Sequence, residues 1–143
     1  LIQPHIVNDI RRLYEPNWTR RGMWNQSYYE ARVPKVPTML LELLSHQNFA
    51  DMRYGLDPCF RFTVSRAIYK GMLQFLATQY KQDYVVQPLP VDHMSARFTK
   101  DTEVELTWQP VDDPLEPTAK AEQYIVYTRI GEGDFDNGIL VNP

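Results

Sequence analysis

A single cysteine, no apolar run long enough to cross a bilayer, no block of like charge and no internal repeat are the first features of this sequence. Cys59 stands alone, so no internal disulfide braces the fold and thiols say nothing about the compartment. The richest apolar segment, Met39 to Leu44, is interrupted by Glu42 and ends at Ser45, which excludes a membrane-spanning helix. Runs of one sign stop at pairs such as Arg20-Arg21 and Asp112-Asp113, and the net charge is −3, so nothing draws in a phosphate backbone and no nucleic-acid partner is expected. A basic stretch followed by an apolar leader is missing too. The chain opens Leu1-Ile2-Gln3-Pro4 and closes at Asn142-Pro143, right after Ile139-Leu140-Val141, and is read as a piece of a longer precursor.

What is present is enough to fold. With 143 residues, 43% of them hydrophobic and 13% aromatic, the chain can fill one ordinary core or two small ones. Ile6, Ile10 and Leu13 recur at helical spacing until Pro16 breaks the pattern, which predicts one amphipathic helix. Residues 16 to 35 hold no period and read as a loop with a short strand. Thr38-Met39-Leu40-Leu41 then reads as a strand buried on both faces of a parallel sheet, with Glu42 at its C-terminal end. Asn48 is placed to cap a short helix over residues 49 to 54, and Asp57 before Pro58 marks the start of a long one. In that helix Phe60, Val64, Ile68, Met72, Phe75 and Leu76 are expected to face the core over roughly six turns.

Proline and β-branched residues crowd into positions 81 to 93, which places a domain boundary near Gln87. Beyond it Val104, Leu106 and Trp108 alternate with Glu103, Glu105 and Thr107, the period of a strand with one face buried. Residues 124 to 130 form another strand. The Pro- and Asp-rich loop between them and the turn from Gly131 to Gly138 complete an antiparallel layout, with Trp108 expected in its core beside Val104, Leu106 and Tyr124 or Val126. The fold class read here is an α/β segment followed by an incomplete antiparallel β-sandwich module.

The string Val36-Pro37-Thr38-Met39-Leu40-Leu41-Glu42, then Asn48, Asp51 and a helix holding Ala67-Ile68-Tyr69-Lys70-Gly71, resembles the end of zinc-dependent N-acetylmuramoyl-L-alanine amidase domains, type 3. Arg21-Gly22 is similar to an Arg-Gly turn of that family. The resemblance covers about residues 1 to 82 and implies an amidase-like domain over 1–86, in which Glu42 faces a metal-bound water. Where the family has a small Thr-Gly pair after the Glu, this chain has Leu43-Leu44 and then Ser45-His46-Gln47. The family's metal ligands belong to stretches upstream of the matched part, so zinc is expected in the complete parent domain and not in this chain. Residues 87–143 resemble the start of a fibronectin type III module, with strands at 90–98, 104–108 and 124–127. Together the two resemblances imply part of a secreted or cell-envelope peptidoglycan hydrolase, with the remainder of the precursor as a possible partner chain. The rival is a non-catalytic binding or structural segment of a larger secreted glycan-processing protein, such as a polysaccharide lyase.

Glu42 carries the chemistry in this reading. A carboxylate at the end of a buried strand needs a hydrogen-bonding partner or a cleft, and two roles meet the need. It can act as general base on an amide-attacking water, or it can start a loop and pair with Arg21 or Arg32. His46 lines the substrate cleft or is a solvated loop residue. His5 and His93 lack ligand spacing, and zinc binding by this chain is not expected from them. Cys59 reads as a buried, inert thiol, and Trp18, Trp24, Tyr28 and Tyr29 either stack on sugar rings or fill the core.

Overall fold

A computed structural model of the chain describes residues 1–142 and divides into two compact units, Leu1–Gln82 and Asp83–Pro143. The first is helical. Its elements are α1 (Ile2–Leu13), α2 (Tyr29–Arg32), α3 (Phe49–Gly55) and α4 (Pro58–Tyr80). The second holds β1 (Asp92–Lys100), β2 (Glu103–Gln109), β3 (Tyr124–Val126) and β4 (Ile139–Val141), paired as two separate antiparallel ribbons, β1 with β2 and β3 with β4. The chain is thus a mixture of helices and small antiparallel sheets. No helix among the described residues is long and apolar enough to cross a membrane.

Helix starts follow local chemistry. Asn48 Oδ1 accepts from the amides of Ala50 at 2.9 Å and Asp51 at 3.4 Å, and Asp57 Oδ1 accepts from Cys59 N at 2.8 Å with Pro58 in the first turn. Both caps satisfy amides that the helix itself leaves free. α4 ends at Lys81, whose left-handed backbone (φ 53°) lets the next amide, Gln82 N, return to Ala77 O at 2.9 Å.

The core of the first unit lies between α1 and α4. Ile6 and Ile10 pack with Phe60, Val64 and Ala67, and Trp18, Leu43, Leu44, Tyr54 and Ile68 close over them. The helices run antiparallel: Ile2 lies at Gly71, Asp9 at Lys70, and Tyr14 at Thr63, with a 3.3 Å bond between the last two hydroxyls. A Cβ on Gly71 would stand 2.7 Å from Ile2 Cα, so the missing side chain is what allows the helices to come this close.

Several expectations are corrected. Residues 38 to 42 form no strand: Met39, Leu40 and Leu41 are exposed, and the first unit has no strand among the described residues for them to pair with. A strand needs a neighbour for its amides and carbonyls, and an apolar run alone does not supply one. The loop before it contains the single-turn helix α2 where a short strand was expected. Along α4 the inward line is Phe60, Thr63, Val64, Ala67, Lys70 and Gly71, whereas Met72, Phe75 and Leu76 are exposed and Ile68 is half-buried. The polar partner Asp9 draws Lys70 inward, which rotates the buried line away from the most apolar one. In α1 the buried set is Ile6, Val7, Asp9 and Ile10, and Leu13 is exposed.

In the second unit β1 and β2 pair with Ala96 opposite Leu106 and Phe98 opposite Val104. Paired residues share a face, so Ala96, Phe98, Val104 and Leu106 form one apolar surface. Trp108 continues it and packs edge-on against Tyr124 at 5.2 Å, as its position predicts, but it is half-buried and Val104 is exposed. β4 is a short strand that the sequence pattern does not disclose. Gly138, at φ +77°, leaves no room for a side chain beside Ile125 and Tyr127, and this close approach lets the β3–β4 hairpin close.

Candidate functional site

Glu42 opens a segment that its own neighbours pin to the helical core. Leu43 and Leu44 are half-buried against that core, and Ser45 N donates to Asp51 Oδ2 at 2.8 Å. Asn48 N returns to Ser45 O at 3.0 Å, so His46 and Gln47 form the tip of a tight turn ahead of α3. Asn48 and Asp51 therefore work as a pair: one caps α3, and the other reaches back from its first turn to hold the entering chain.

Against this anchored background Glu42 is exposed, and among the described residues its carboxylate has no hydrogen bond or ion pair. Pairing with Arg21 or Arg32 is not observed. Arg21 instead lies over the Trp24 ring at 5.7 Å, and its carbonyl accepts from Gln3 Nε2 at 2.9 Å. His46 is exposed on the turn, and no hydrogen bond joins it to Glu42.

The other residues singled out by sequence separate. His5 Nε2 is hydrogen-bonded to Gln74 Oε1 at 3.0 Å and links α1 to α4. His93 belongs to the other unit, where its Nδ1 lies 3.3 Å from Asp92 Oδ2. Cys59 is exposed, which corrects the expectation of a buried thiol: Phe60 and Thr63 turn to the core and Cys59 points away from it. Of the aromatic group, Trp18 joins the core edge-on to Tyr54 at 5.4 Å, whereas Trp24, Tyr28 and Tyr29 are exposed.

Among the described residues no three His, Cys, Asp or Glu side chains are grouped to hold a metal, and His5 and His93 belong to separate units, where Nε2 of the first and Nδ1 of the second face the partners named above.

Sequence reasoning missed two polar constellations. Lys70 Nζ and Asp9 Oδ2 form an ion pair at 2.8 Å with side chains 2% and 7% exposed; the contact is electrostatic, since Oδ2 has no partner in good hydrogen-bond geometry. No local spacing joins positions 9 and 70. The second is Asp136, which accepts from Thr128 Oγ1, from Thr128 N at 3.1 Å and from Gly138 N at 2.9 Å. These bonds, the Thr128 hydroxyl foremost, hold its carboxyl below the ordinary aspartate value. Asp136-Asn137-Gly138 is a recognisable turn signal for it.

No known protein family, curated protein or solved structure matches this chain.

Proposed function

We propose that this chain is the closing part of an amidase-like α/β domain, residues 1–86, joined to the opening part of a fibronectin type III-like domain, residues 87–143. The parent protein is a secreted or cell-envelope hydrolase that cleaves the amide between the lactyl group of muramic acid and the first L-alanine of peptidoglycan. The observation that carries this reading is Glu42: a carboxylate on an anchored segment, exposed and without a hydrogen bond or ion pair among the described residues. A general base has this requirement, since it must be held in place and still be free to take a proton from the attacking water and return it to the leaving amine. Zinc ligands would come from the rest of the parent protein. The exposed Met39, Leu40 and Leu41 support a strand that forms only when neighbouring strands are supplied. The open apolar residues of both ribbons, the pair Phe98 and Val104 in one and the pair Ile125 and Leu140 in the other, support sheets that further strands would cover to make a sandwich.

A second reading is a non-catalytic binding or structural segment of a larger secreted glycan-processing protein, such as a polysaccharide lyase. It is favoured by the local roles of the other residues in the resemblance. Asn48 caps a helix, Asp51 braces the turn and Gly71 admits Ile2, so none of them needs a substrate to explain it.

Glu42→Gln in the complete parent protein separates the two. The amide keeps the shape but cannot accept the proton, so turnover of wall peptide should fall by about 10²–10⁴-fold with little change in substrate affinity. Stability should be unchanged, because no partner is stranded. Full activity in the Gln variant would remove Glu42 from catalysis and favour the structural reading.

A further inference from the structure

All nine residues of β1 are exposed, and among the described residues its outer edge carries no partner strand, whereas Glu105, Leu106 and Trp108 of β2 are half-buried. An isolated two-stranded ribbon is marginal, and an open edge is a template for another strand. The sequence of this edge is complementary to itself. If two copies of β1 lie antiparallel about Ala96, Met94 faces Phe98 of the other copy, Ser95 faces Arg97, and Asp92 faces Lys100. Apolar thus meets apolar, and opposite charges meet at both ends.

The irregularities of β1 obey the same centre. Its pairing with β2 shifts between Asp92 and Ser95 and again between Phe98 and Lys100, so the extra residues stand around His93 and at Thr99. In the antiparallel arrangement these two positions face each other, and the bulges of one copy match those of its mate. His93, at φ +51°, is fixed in its bulge by the 2.7 Å bond from its amide to Asp92 Oδ1.

We propose that the β1 edge is a self-association surface, through which two copies of this chain join around Ala96 into one four-stranded antiparallel sheet. The contact is isologous, so it closes at two copies. It also extends the apolar surface of Ala96, Phe98, Val104 and Leu106 across both chains.

The test is the molar mass of the 143-residue chain by sedimentation equilibrium from about 1 μM to about 1 mM. A monomer–dimer equilibrium is expected. Lys100→Asp sets carboxylate against carboxylate at both ends, leaves the bond from His93 N to Asp92 Oδ1 in place, and should weaken dimerisation by about tenfold or more. Circular dichroism confirms that each variant is folded. As an independent check, Ala96→Cys in a Cys59→Ser background should give a disulfide-linked dimer on mild oxidation, because directly opposed strand residues lie within bridging distance. A monomer throughout, oligomers larger than two, insensitivity to the charge changes, or failure to cross-link at position 96 would each overturn the proposal.

Discussion

Lys70 is 2% exposed and faces the Asp9 carboxylate across the α1–α4 interface. Removing one member leaves the other charged and desolvated, so Lys70→Ala should cost about 3–5 kcal/mol in urea unfolding. Replacing both members with apolar residues of similar size removes that penalty. Asp9→Leu with Lys70→Met should therefore recover most of the loss, and a double variant as weak as the single one would show that the pair contributes net stability. The same residue explains part of what the sequence concealed. A lysine within an amphipathic pattern is assigned to water, and the distant Asp9 helps to make the inward position favourable. Glu42, by contrast, was legible as an isolated carboxylate among apolar residues, but its exposure was not, because residues 38 to 42 form no strand.

Among the elements, boundaries were legible where the chain itself supplies a stop or start signal. Asn48 and Asp57-Pro58 mark α3 and α4 through bonds made within three residues, and the alternation of Val104, Leu106 and Trp108 marks β2. Faces were less legible, because the inward line of α4 is set by what α1 presents. Gly71 is the sharpest case. Its position tolerates no Cβ against Ile2, so Gly71→Ala must push the N-terminal turn of α1 outward, although alanine is the better helix former by about 1 kcal/mol. The clash is with backbone and should outweigh the propensity gain. The expected outcome is a net loss of stability in urea unfolding, with faster amide exchange at residues 5 to 7. An unchanged or raised midpoint would mean that α1 shifts at no cost.

At the scale of the whole molecule, the division at residues 82 and 83 separates a unit made by two long-range helices from one made by local hairpins. The histidines are distributed across both, and this gives a direct expectation: after dialysis the 143-residue chain should retain no stoichiometric zinc. One zinc per chain by elemental analysis, with a ligand distance near about 2.1 Å to histidine nitrogen, would contradict it. The helical unit has a further consequence in time. Its core joins residues 2–13 to residues 58–80, and everything from 14 to 57 lies in the loop between them. Closing so long a loop comes before most of the stabilising contacts, so this unit should fold more slowly than a helical hairpin of the same size. During synthesis α1 leaves the ribosome well before its partner, and its buried stripe of Ile6, Val7 and Ile10 stays open to chaperones until α4 arrives.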